Sequence, residues 1–171
     1  VLSEQLLGFS NLSGVVMRLI KKILATFFGV GYCPVASGTA GSFAAAILIW
    51  FLVPTQSIWF IAIVILTVPI AAFFCGVGEK FWNKADSGHI VLDEVIGMAI
   101  TYMWMPKDWR IFLIGFLLFR FYDITKIPPA GAAEKIKGGW GVLLDDVVAG
   151  IYANIGLWIV GFLFFKKLFT H

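Results

Sequence analysis

The chain has 171 residues, 60% hydrophobic and 13% charged, with a formal net charge of +3. Its mean hydropathy is +0.94, and its charged share is about half the ~25% of soluble domains. A chain of one-domain length has too little interior for so much apolar side chain, so an ordinary soluble globule is excluded and the bilayer becomes the solvent.

The apolar runs are continuous rather than alternating, which excludes a barrel and predicts helices. No basic stretch is interleaved with aromatics, so a nucleic-acid partner is not expected. Cys33 and Cys75 form no CxxC or Cys/His cluster, so zinc is not expected either. The opening residues carry Glu4 and no basic n-region, unlike a signal peptide.

Residues 15–30 place Arg18, Lys21 and Lys22 on one helical face, which predicts an amphipathic helix against an anionic leaflet or a partner helix. A Gly/Ser/Thr-rich loop follows at 29–42. Its backbone could hold phosphate where it enters the next helix, although it is not a Walker loop. Apolar runs then cover about 40–53, 58–77, 91–105, 111–122 and 147–165. Pro69 is expected to kink the second. Several runs are shorter than the ~20 residues that cross a bilayer. The expected fold is an all-α polytopic membrane bundle of about five spans plus the N-terminal helix. It forms one integral membrane domain over 1–171, with the catalytic bundle at 40–165.

Alternating the spans puts Arg18, Lys21, Lys22, Lys80, Lys84, Arg120, Lys126, Lys135 and Lys137 on one side. Lys107, Arg110, Lys166 and Lys167 fall on the other. The positive-inside bias makes the first side cytoplasmic. Glu79, Asp86, Asp93, Glu94, Asp123, Glu134, Asp145 and Asp146 sort to that same side.

Asp93-Glu94 and Asp145-Asp146 each lie at the N-terminal edge of an apolar run, where a helix dipole favours a carboxylate or a phosphate. Neighbouring helical residues point about 100° apart, so one acid of each pair is expected to face the site, Glu94 and Asp146 being preferred. Asp123 falls at a helix C-terminus, where a carboxylate is unwelcome unless it pairs with Arg120 or Lys126. Oxygen ligands without His or Cys favour Mg²⁺. Arg120, Lys126, Lys135 and Lys137 could clamp a phosphate beside it.

These residues carry a resemblance to the phosphatidylglycerophosphatase A family of bacterial membrane lipid phosphatases. The matching blocks are Pro34 with Ser37-Gly38-Thr39-Ala40-Gly41-Ser42; Asp86 with Ile90-Val91-Leu92-Asp93-Glu94-Val95-Ile96-Gly97-Met98; Phe119 through Pro129; and Gly138 through Gly150. Ser37 and Ile127 stand where the family commonly has proline. The resemblance implies Mg²⁺-dependent hydrolysis of phosphatidylglycerophosphate to phosphatidylglycerol at the cytoplasmic face of the inner membrane. It makes a phospholipid and the bilayer the partners, with no obligate protein partner.

The site expected from residues and resemblance together has Asp93, Glu94, Asp123, Asp145 and Asp146 as catalytic groups. The metal ligands come from Glu94, Asp146, Asp93 and Asp145. Thr39, Gly38, Ser42, Arg120, Lys126 and Asp86 bind substrate. Either water or one Asp attacks phosphorus. A cation transporter using the rim acids is the competing class, but it would set acids at the midplane of a repeated fold. A CDP-alcohol phosphotransferase would carry a long Asp/Gly/Ala/Arg motif that is absent here.

Overall fold

The computed structural model describes residues 15–84, 87–133 and 136–166, and the regular elements among them are all helical. Helix α1 covers 15–25. A 3-10 turn at Val30–Tyr32 leads to α2 (Ser37–Leu52), α3 (Ile58–Trp82), α4 (Leu92–Thr101), α5 (Trp109–Thr125), α6 (Ala130–Ala133) and α7 (Gly139–Phe164).

Local chemistry sets the helix ends. Ser57 caps α3 by accepting from the Trp59 amide at 3.2 Å, and Asp108 caps α5 by accepting from the Arg110 amide at 2.9 Å. Helix α3 stops at Asn83 and α5 at Lys126, both in the left-handed region. Helix α3 continues through Pro69.

Three expectations need correction. The N-terminal helix ends at residue 25, and residues 26–29 turn, instead of continuing to 30. Helix α4 has 10 residues, about 15 Å at 1.5 Å per residue, half of a ~30 Å hydrocarbon layer. The run 91–105 was expected to be one span, but Pro106 disfavours helix before it. Residues 102–104 instead form a turn held by Asn154, whose Nδ2 donates to the carbonyls of Ile100, Thr101 and Met103 at 3.2, 2.9 and 2.8 Å. Finally, α7 starts at Gly139, well before Asp145. By length and composition, α3 and α7 can each cross a membrane, whereas α2 is a shorter apolar helix.

The main core lies among α2, α4, α5 and α7, around Ala45, Ile49, Met98, Tyr102, Phe119, Ala153 and Leu157. Large apolar side chains such as Leu66, Phe73 and Phe162 cover the outer faces of α3 and α7, as lipid-facing surface requires.

Candidate active site

Helices α4 and α7 meet on glycine. A Cβ at Gly150 would stand 2.5 Å from the Gly97 carbonyl oxygen, and one at Gly97 would stand 2.9 Å from that of Asp146. Only small residues permit such an approach. The crossing sets the first turn of α4, with Asp93 and Glu94, beside the second turn of α7, with Asp145 and Asp146.

Asp93 and Asp146 are 5% and 3% exposed. One oxygen each from Asp93, Glu94 and Asp146 lies within 4.8 Å of the other two. Asp123 reaches the Asp146 carboxyl from the last turn of α5. It also pairs with Arg120, whose Nη1 lies 2.5 Å from Asp123 Oδ2.

The first turn of α2 closes the cluster. The same Arg120 Nη1 donates to Ser42 Oγ at 3.3 Å, and Ser42 Oγ donates to the Gly38 carbonyl at 2.8 Å. A Cβ at Gly38 would collide with Glu94 Oε1, so glycine lets the α2 backbone rest on the acid cluster. Helix α2 has no side-chain N-cap, and its first-turn amides lack intrahelical acceptors.

Asp145 turns aside to Lys126, whose Nζ donates to Oδ2 at 3.0 Å. Lys126 holds φ 46 and ψ 48, a conformation that costs a non-glycine residue roughly 1–2 kcal/mol. That backbone geometry places the ammonium beside α7. Among the described residues, two buried side-chain polar atoms have no hydrogen-bond partner, Glu94 Oε2 and Arg120 Nε. Both belong to this site. Buried polar groups are rarely left so.

The structure thus brings Asp93, Glu94, Asp123, Asp146, Gly38, Ser42 and Arg120 together. Both acids of the first pair contribute an oxygen to the cluster, where one was expected to turn away. Of the second pair only Asp146 does. Thr39 lies half-buried in the first turn of α2, and Lys137 is exposed. Asp86, Lys135 and Glu134 lie outside the described residues.

A family model described as "Phosphatidylglycerophosphatase A" matches residues 23–161. The chain belongs to the phosphatidylglycerophosphatase A family. It is 38% identical to the phosphatidylglycerophosphatase A of Escherichia coli, over 81% of this chain and 82% of that one. It is 36% identical to the Haemophilus influenzae protein of the same name, over 78% and 83%. A Bacteroides thetaiotaomicron protein named "Putative phosphatidylinositol-3-phosphatase" is 34% identical over 81% and 94%. No solved structure matches the chain.

The family match spans α2 through most of α7, and so contains every residue of the cluster. Sequence reasoning missed the residues that position it, Gly97 and Gly150. The available signal was a glycine inside each of two apolar helical runs, a mark of close helix approach in membranes. It also missed the clips that hold the segment before α4. The Val91 amide donates to the Ala25 carbonyl at 3.1 Å, and His89 Nδ1 lies 3.1 Å from the Gly31 carbonyl oxygen. These pairs are far apart in sequence and leave no local pattern.

Proposed function

We propose that this protein hydrolyses the terminal phosphomonoester of phosphatidylglycerophosphate, using Mg²⁺, at the cytoplasmic face of the bacterial inner membrane. The observation that carries the proposal is the trio of buried Asp93 and Asp146 with half-buried Glu94, set beside the α2 N-terminus and Arg120 in a chain of this family.

The trio fits a hard divalent cation. Its donors are all carboxylate oxygens, as magnesium prefers. Three acids this close, two buried and one half-buried, repel one another and lose hydration unless a cation lies between them. Glu94 Oε2 has no other partner. Asp93, Glu94 and Asp146 would therefore hold the ion, while Asp145 stays with Lys126. When bound, the ion supplies positive charge to a phosphoryl oxygen and makes water easier to deprotonate.

The protein's own groups do the rest. Arg120 is fixed by Asp123 and Ser42, which aims its planar fork and leaves Nε to donate to a phosphoryl oxygen. The first-turn amides of α2 add donors and the positive end of a helix dipole. Asp123 pairs with Arg120 and holds that guanidinium beside Ser42. In the overall reaction a new P–O bond forms to oxygen from water, the P–O bond to glycerol breaks, and a proton passes to the glycerol oxygen.

The acids cluster at the first turn of α4 and second turn of α7, at one end of the bundle. This supports an interfacial reaction over an ion path, which would need carboxylates at depth. The Bacteroides relative's name makes a phosphoinositide the alternative substrate. Purified protein should release inorganic phosphate from phosphatidylglycerophosphate faster than from phosphatidylinositol 3-phosphate. EDTA should stop the release and excess Mg²⁺ restore it. Equal rates with EDTA and with Mg²⁺ would remove the metal from the proposal, and a preference for the phosphoinositide would change the substrate.

A further inference from the structure

Below the Ser42–Arg120 hydrogen bond, α2 and α5 separate and leave a groove of about 230 Å³. From α2 it is lined by Phe43, Ala46, Ile47 and Trp50, and from α5 by Phe116, Leu113, Phe112 and Trp109. These positions continue the stripes that begin at the site. Counting down α5 from Arg120, residues 116, 113, 112 and 109 recur at helical spacing. Counting along α2 from Ser42, residues 43, 46, 47 and 50 do the same. Ser42 and Arg120 therefore sit at the polar head of a trough whose lower walls are wholly apolar.

The trough has a floor and a rim. Ala46 and Phe112 are each 8% exposed and form the floor, while Ile47 and Leu113 are exposed along the rim. Edge-on ring pairs brace it at each end, Phe43 with Phe116 at 5.9 Å and Trp50 with Phe112 at 4.5 Å. From Phe43 to Phe51 the trough runs about 12 Å along α2 at 1.5 Å per residue.

We propose that one acyl chain of the lipid substrate lies in this α2–α5 groove. The inference rests on the phosphatase reading above. A lipid whose phosphate meets Arg120 must run its chains toward the bilayer centre from that point, and this groove is an apolar surface that starts at the Ser42–Arg120 pair. Its volume is below the ~300–1,000 Å³ of sites that enclose whole small molecules, which suits a single chain. The groove would fix the headgroup by its tail and set the chain-length preference, with Ala46 and Ile47 as the specificity-determining positions.

The direct test is photolabelling in phosphatidylcholine nanodiscs with phosphatidylglycerophosphate that carries a diazirine at mid-chain. Adducts should concentrate on Ile47 and Leu113, and Ile47→Trp, which fills the slot from its rim, should remove them. Phosphatidylcholine with the same diazirine should label Ile65 and Leu66 on the outer face of α3 as readily as the groove. If the phosphatidylglycerophosphate probe also labels α3 and the groove equally, the groove holds only bulk lipid and the proposal fails. If that probe leaves the groove residues unlabelled, it also fails.

Phosphate release gives the second readout. Ile47→Trp should lower kcat/KM for dihexadecanoyl relative to dihexanoyl substrate by about tenfold, the effect of one or two displaced methylenes. Leu66→Trp should leave that ratio unchanged, and an unchanged ratio in Ile47→Trp would overturn the groove. Wild-type protein that hydrolyses neither lipid would sink the phosphatase reading, and the labelling would still decide the groove.

Discussion

The two ends of the bundle treat buried polar groups in opposite ways. At the end formed by residues 53–57 and 102–108, demand is met within the protein. Thr55 Oγ1 donates to the Met105 carbonyl at 2.6 Å, Tyr102 Oη donates to that of Phe112 at 2.6 Å, and Asn154 serves three carbonyls. At the other end three carboxylates crowd together, and Glu94 Oε2 and Arg120 Nε are buried without a hydrogen-bond partner. The same helices supply both ends, so poor packing does not explain the difference. One end is finished by protein atoms. The other is complementary to something the chain does not contain.

The sharpest way to test that contrast is to neutralise the acids one at a time. Asp146→Asn and Glu94→Gln keep volume and remove charge. Each should lower kcat for phosphate release by at least ~10²–10³-fold, the scale of losing one preorganised electrostatic group. Their thermal midpoints in detergent without added metal should stay level or rise, because like-charge repulsion is relieved. A large fall in midpoint with kcat preserved would make the acids structural.

Much of this end is legible in the sequence. Acids interrupting apolar runs are costly enough to notice, and charge sorting places them together. The helix boundaries are less legible. The Gly138-Gly139-Trp140-Gly141 stretch looks like loop, yet α7 begins at Gly139 because a Cβ there would collide with the Ala72 carbonyl and the Gly76 amide of α3. That tertiary approach puts Asp145 and Asp146 in the second turn and not at the helix edge. The partner of Asp145 was hidden for a similar reason. Lys126 reaches it only from a left-handed backbone position, which nothing in Thr125-Lys126-Ile127 announces. The short α4 was hidden because an apolar run is equally compatible with a helix and with buried turns capped from another helix.

The finished end should respond through stability. Asn154→Leu removes the side-chain donor of the Thr101 and Met103 carbonyls, at about 1–3 kcal/mol for such a loss, while the Ile100 carbonyl keeps the Met103 amide. Asn154→Asp should be worse, since it turns a carboxylate toward three carbonyl oxygens. The detergent-solubilised thermal midpoint should fall in that order. The kcat of the protein that remains folded should change far less than in the acid variants. If Asn154→Leu matched Asp146→Asn in lost turnover, the two ends would not be separable.

The smallest effect belongs to Asp108, which caps α5 at the finished end. Arg110 donates through Nε to Asp108 Oδ1 and through Nη2 to Oδ2, each at 2.9 Å. These bonds hold the Asp108 carboxyl below its ordinary range, with burial opposing them. The sign follows from linkage. A carboxyl whose folded pKa lies below its unfolded value of about 3.9 contributes fully above that value, and the contribution is lost as pH falls through the lower folded value. Asp108→Asn keeps a side-chain oxygen to accept from the Arg110 amide and removes the charge. At neutral pH its thermal midpoint should sit slightly below wild type, because an exposed ion pair contributes little. The gap should stay constant down to about pH 5 and close only below about pH 4, over the window set by the lowered carboxyl. Phosphate release should not register the change at any pH where both proteins stay folded. A gap that closed near neutrality would contradict a carboxyl held below its ordinary range by Arg110.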